Sequence, residues 1–159
     1  MDSETHFLYP ATLHASTKTL QISTILGSCV AVCLWDMHNR IGGMNHYMLP
    51  LWNGQGLASP KYGNIAIEKL VEKMINLGSK KIHLQAKIFG GGEVIQTEVG
   101  MFHIGERNIA IARDMLGEMK IPIVSSSVGG KLGRKIIFNT ETGDVMHRFI
   151  SKQNINAPQ

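Results

Sequence analysis

The stretch Ser23-Thr24-Ile25-Leu26-Gly27-Ser28-Cys29-Val30-Ala31-Val32-Cys33-Leu34-Trp35-Asp36 and its return, Arg40-Ile41-Gly42-Gly43-Met44-Asn45-His46-Tyr47-Met48-Leu49-Pro50, decide how the chain folds. The small-residue turn Gly27-Ser28 delivers Cys29 into a run of β-branched and aromatic residues. A polar Met37–Arg40 segment follows, and a second extended run carries His46. Two such runs divided by a few polar residues read as a β-hairpin. A turn of two or four residues centred between His38 and Asn39 pairs Asp36 with Ile41, and that register, continued, sets Cys29 opposite Met48 and His46 opposite Ala31. Cys29 and His46 then share a face as diagonal neighbours. A turn one residue longer or shorter would put them on opposite faces.

A thiol beside an imidazole suggests a nucleophile and its base. A free cysteine has a pKa near ~8.5, and an adjacent imidazolium can lower it to roughly 3.5–7.5. The thiolate attacks a carbonyl and the imidazolium protonates the leaving amine. Gly27 and Ser28 permit close approach of a substrate and offer backbone N–H groups to an oxyanion. Against this stands the commoner role of cysteine, a small buried hydrophobe. Spacing alone does not choose between them.

The wider string does. Leu-Gly-Ser-Cys-Val-Ala-Val followed by Gly-Gly-x-x-His-x-Met-Leu-Pro resembles the signature of the chemoreceptor glutamine deamidases, the CheD family. Lys61-Tyr62-Gly63-Asn64, Lys87-Ile88-Phe89-Gly90-Gly91, Ile104-Gly105-Glu106-Arg107-Asn108 and Gly129-Gly130-Lys131-Leu132-Gly133-Arg134-Lys135 follow in the family's order, so the resemblance covers nearly the whole chain. It implies hydrolytic deamidation of glutamines on the cytoplasmic helices of methyl-accepting chemoreceptors. It also implies a CheC-type phosphatase as partner and a Cys-His-Thr constellation whose first two members fall on Cys29 and His46. The family's threonine stands six residues before the cysteine, which here is Ser23, with Thr24 beside it. Serine keeps the hydroxyl that orients the imidazole, so the third role falls on Ser23; Thr24 points to the other face of a regular strand. Two other readings compete: hydrolysis of receptor glutamyl methyl esters at the same dyad, and an adaptor that binds receptor or CheC with little catalysis.

The whole chain sets the frame for these readings. At 159 residues, 43% hydrophobic and 18% charged, it has the composition of one globular domain and not of a disordered segment. That domain spans 1–159, with 1–19 as an N-terminal arm or edge strand and 151–159 as a frayed polar tail. Net charge is +4 without a dense basic block, since Lys80-Lys81 and Arg134-Lys135 are short pairs, so no nucleic-acid footprint is expected. Cys29 and Cys33, four apart on a strand, are unsuited to a disulfide and read as reduced thiols, with Cys33 in the core. No segment is long and apolar enough to span a membrane, and Met1-Asp2-Ser3-Glu4 is unlike a signal peptide, so a cytoplasmic location is expected. The seven histidines never fall in metal-ligand spacing, and neither nucleotide fingerprint is present; no metal or cofactor is expected.

Elsewhere, Leu20 and Ile22 alternate with Gln21 and Ser23 in a strand entering the Cys29 turn. The Trp52–Gly56 loop reads equally as a wall of the site and as a solvent loop. Ser59-Pro60 starts a helix carrying Ile67, Leu70, Val71, Met74 and Leu77, with Gly78 at its end. Ile82, Leu84, Ala86 and Ile88 form the buried face of a strand that ends in Gly90-Gly91-Gly92, a turn that lets backbone approach the cleft. A second helix covers Gly105–Met119, with Arg107 and Asn108 near its start. Ile121–Ser127 reads as a strand, and Lys135–Thr140 with Asp144–Ile150 as a hairpin. The fold class is α/β: a single-domain layered sandwich, as the resemblance implies, with mixed or antiparallel strands and at least two amphipathic helices.

Overall fold

A computed structural model describes residues 4–93 and 103–151 of the chain. In order these form β1 (Glu4–Phe7), β2 (Thr12–Ser16), β3 (Leu20–Leu26), β4 (Val30–Asp36), β5 (Ile41–His46), α1 (Gly63–Asn76), β6 (Leu84–Gly90), α2 (Ile104–Glu118), β7 (Ile123–Val128), β8 (Gly133–Asn139) and β9 (Val145–Ile150). One sheet has the order β1-β3-β8-β9 and the other β2-β5-β4-β6-β7. Both are mixed, because β1 runs parallel to β3 and β7 to β6 while the other neighbours are antiparallel.

The layering follows from β4. Its run of apolar residues has no polar face, as befits a strand covered on both sides. Val30, Val32 and Leu34 pack into a core with Ile67, Leu70 and Met74 of α1 and Ile109, Ala112 and Leu116 of α2. Ala31 and Cys33 pack into a second core with Ile22 and Leu26 of β3 and Ile136 and Phe138 of β8. Helices, five-stranded sheet and four-stranded sheet therefore stack in that order. The α/β layered sandwich with mixed strands and two helices expected of the sequence is the fold observed.

The hairpin keeps the register that its turn predicts. Asp36 pairs with Ile41, Leu34 with Gly43 and Cys33 with Met44, around a four-residue turn, and the isolated bridge Val30–Tyr47 continues the same pairing. In between, the rung at Val32 is taken by a side chain: Val32 N–H donates to Asn45 Oδ1 at 2.8 Å.

Two elements differ from the sequence reading. Helix α1 begins at Gly63 and not at Pro60, because Lys61 and Tyr62 are held alongside the end of the hairpin: Met48 N–H donates to Lys61 O at 2.8 Å, and Leu49 bridges Tyr62. Ile82 is 86% exposed, since Lys81–His83 is a 3₁₀ turn and the strand starts only at Leu84. Residues 4–16, read as an arm or edge strand, give the edge strands β1 and β2 of the two sheets. The expected tail beyond Ser151 lies outside the described residues.

The glycine turn after β6 is a close approach of backbones. At Gly90, φ is +107°, and a Cβ there would run into the carbonyl oxygen of Cys29. Gly54 has φ +90° with nothing within 4 Å of where a methyl group would stand, so it isolates the conformational cost. Gly54→Ala should cost about 1 kcal/mol, the low end for a strained backbone position, whereas Gly90→Ala adds the clash and should exceed about 3 kcal/mol. Urea unfolding of the two variants checks this; equal losses would refute it.

Candidate active site

The site lies at the end of the sandwich where β3 crosses from one sheet into β4 of the other. Cys29 immediately precedes β4 and packs against the inter-sheet core. His46 ends β5 and is 2% exposed. The two sit on the same face, one strand apart and diagonal, as the register requires. Diagonal positions are separated by about 7–8 Å, and among the described residues no hydrogen bond joins thiol to imidazole.

The hydroxyl that meets His46 comes from Thr24. Its Oγ1 is 2.7 Å from His46 Nδ1 and donates to Leu8 O at 2.8 Å. The contact expected of Ser23 is thus made by its neighbour. Leu20, Ile22, Thr24 and Leu26 form the inward, buried row of β3, and Ser23 lies on the alternate row, where its neighbours in register are Phe7 and Ile137. Thr24 reaches the imidazole across the sandwich, not along a strand. A threonine hydroxyl carries one proton. With that proton on Leu8 O, Oγ1 is an acceptor toward His46, so Nδ1 holds the imidazole hydrogen and Nε2 keeps its lone pair. The same segment fixes the histidine's backbone, as Ala11 N–H donates to His46 O at 2.8 Å.

Burial sets the protonation of the pair. The Cys29 thiol is pushed up to about 11 and the His46 imidazole down to about 4, in each case chiefly by desolvation of the charged form. The resting dyad is thus a neutral thiol and a neutral imidazole, not the thiolate–imidazolium pair that proximity suggests from sequence. Cys33 is 1% exposed and its thiol is raised further by burial, which leaves it a core residue.

The turn that carries Cys29 is tied down by its carbonyls. Gly27 O accepts from Gly92 N–H at 3.0 Å, and Cys29 O accepts from Gly91 N–H at 2.9 Å. Ser28 O accepts from Asn108 Nδ2 at 3.0 Å. Gly27 and Ser28 therefore precede Cys29 with their carbonyls held by Gly92 N–H and by the Asn108 side chain. Arg134, 2% exposed, holds the glycine turns from behind: its guanidinium donates to Gly129 O at 2.7 Å and to Ser127 Oγ at 3.1 Å. The Trp52 loop is closed on itself by Trp52 Nε1–H donating to Gln55 O at 3.0 Å. Among the described residues, no three His, Cys, Asp or Glu side chains converge as metal ligands would, and no helix is long and apolar enough to cross a membrane.

Sequence reasoning passed over Thr24 and Leu8. A signal for Thr24 was present: extending the Leu20, Ile22 alternation by one step puts position 24 inward and position 23 outward. For the Leu8 carbonyl there was none, because a backbone acceptor is supplied by tertiary placement.

A family model described as CheD chemotactic sensory transduction matches residues 48–149. A protein of Trichlorobacter lovleyi named probable chemoreceptor glutamine deamidase CheD is 52% identical over 141 residues, 89% of this chain and 88% of that one. A protein of the same name from Sulfurimonas denitrificans is 47% identical over 154 residues, 96% of this chain and 98% of that one. A third, from Anaeromyxobacter dehalogenans, is 39% identical over 137 residues, 86% and 80% of the two chains.

The depressed imidazole makes stability depend on pH. The unfolded histidine binds its proton near 6.5 and the folded one near 4, so between these values the unfolded state binds more protons and stability falls as pH falls. Wild type should lose on the order of 3 kcal/mol more than His46→Gln between pH 7 and pH 4. Urea melts of both proteins across that range measure the difference, and parallel curves would contradict the burial argument.

Proposed function

The chain belongs to the CheD family, and from that premise we propose that it hydrolyses the side-chain carboxamide of selected chemoreceptor glutamines to carboxylate, releasing ammonia. The observation that carries the reading is the Leu8–Thr24–His46 chain of hydrogen bonds, which leaves Nε2 as a base on the face that bears Cys29.

The reaction then runs from neutral partners. As Cys29 sulfur attacks the carboxamide carbon, its proton passes to His46 Nε2. The negative charge that develops on the carboxamide oxygen meets backbone N–H groups of the Gly27–Cys29 turn. An imidazolium formed where burial holds the pKa to about 4 is a strong acid. It protonates the departing nitrogen, and ammonia leaves as the thioester forms. Water, deprotonated by the same Nε2, opens the thioester to glutamate and restores the thiol. Thr24 keeps the tautomer and the ring orientation through both halves; it is a positioning residue.

The test is incubation of a purified chemoreceptor cytoplasmic fragment with the protein, read as ammonia release and as the glutamine-to-glutamate mass change in its peptides. Cys29→Ala should abolish turnover with its thermal unfolding unchanged. Thr24→Val, which removes the acceptor from Nδ1, should lower kcat by roughly 10²-fold, a loss on the scale of general-base catalysis. Ser23→Ala should leave kcat within about twofold, because that hydroxyl has no part in the relay. Turnover by Cys29→Ala would overturn the proposal, and equal losses at Ser23 and Thr24 would overturn the assignment of the relay.

A further inference from the structure

Asn108 sits in the first turns of α2 with its side chain fully buried. Its Nδ2 donates to Ser28 O and to Met48 O, each at 3.0 Å. Both partners are carbonyl oxygens, which can only accept, so the amide is fixed with its nitrogen toward them. Oδ1 has no partner among the described residues. The backbone oxygen of Asn108 in turn accepts from Tyr47 Oη at 2.5 Å. Ser28 and Met48 stand on the two arms of the hairpin just beyond the Val30–Tyr47 bridge. One side chain therefore closes the open end of the hairpin where Cys29 and His46 emerge.

The Ser28 carbonyl belongs to the same planar peptide as the Cys29 N–H. The chain has no cis peptide among its described residues, and in a trans peptide the two groups point in opposite directions. Drawing Ser28 O toward α2 thus turns the Cys29 N–H away from it. Among the described residues that N–H donates to no backbone carbonyl. A donor beside the attacking atom is where an oxyanion hole needs one. The flanking carbonyls of Gly27 and Cys29 are held by backbone amides, whereas that of Ser28 is held by a side chain.

We propose that Asn108 is a positioning residue that sets the Ser28–Cys29 peptide plane and so aims the Cys29 N–H at the oxyanion of the acyl-transfer step; this rests on the deamidase reading above. Asn108→Ala removes the two donors, and Asn108→Asp replaces them with acceptors facing two carbonyls. Asn108 acts only where charge develops on the substrate oxygen. Alkylation of Cys29 by iodoacetamide forms no oxyanion, so it reports on thiol and base alone.

The experiment measures receptor-fragment deamidation, Cys29 alkylation against pH, and thermal unfolding for wild type and both variants. Both variants should lose about 10²-fold in kcat, the scale of one oxyanion donor, with KM within about threefold and the alkylation rate and its pH profile within about twofold. Full turnover by the variants while wild type is active would overturn this inference alone. So would a loss of alkylation in proportion to turnover, or the absence of cooperative unfolding in both variants, since either makes the role purely structural. A wild type without turnover would overturn the deamidase reading, and this inference with it.

Discussion

Coverage of the five-stranded sheet on both faces is the constraint from which the site's chemistry follows. Helices occupy one side of β4 and β5 and the second sheet occupies the other, so polar groups on these strands leave water when the chain folds. A buried polar group persists at low cost only when it is neutral and partnered. His46 obeys by remaining uncharged and giving its Nδ1 hydrogen to Thr24, and Thr24 obeys by giving its own to Leu8. Asn45 obeys in part by taking a rung of the sheet from the backbone of β5. The arrangement that solves the burial problem is the one that leaves a lone pair on Nε2.

A second consequence concerns two of the four connections that cross between layers among the described residues. The link from β1 to β2 carries Leu8 and Ala11, and the link from β3 to β4 carries Gly27 and Ser28; each joins one sheet to the other. The histidine and its hydroxyl partner are thus held by the first crossing, and the cysteine is held by the second. The register of a four-residue turn, Met37 to Arg40, sets Cys29 against His46, and the short link from β2 to β3 joins the two crossings directly.

Much of this was legible in the sequence where a single periodicity governs. The hairpin register follows from alternation and a symmetric turn, and it survives from Asp36 to Tyr47. The glycines at 90–92 declared a close backbone approach, which the contact with Cys29 O realises. Legibility ends where one element borrows from another. Ile82 continues the alternation of β6 in sequence, yet its backbone belongs to a 3₁₀ turn, which alternation cannot detect. Ser59-Pro60 has the form of a helix start, but the two residues after Pro60 are claimed by the end of the hairpin. For Ser23 and Thr24 the family's six-residue spacing from the cysteine names Ser23, which lies on the outward row of β3. Parity counted forward from Leu20 stays within one strand and gives Thr24.

The glycine turn after β6 separates two properties of the molecule. The Gly27 and Cys29 carbonyls are anchored by main-chain amides, and Gly90 and Gly91 have no side chain at all. The segment after β5, by contrast, carries the exposed side chains of Met48, Leu51 and Leu57. Substitution of these exposed side chains leaves the main-chain hydrogen bonds of Gly27 and Cys29 in place. The surface of that segment and the turn that carries Cys29 can therefore vary separately.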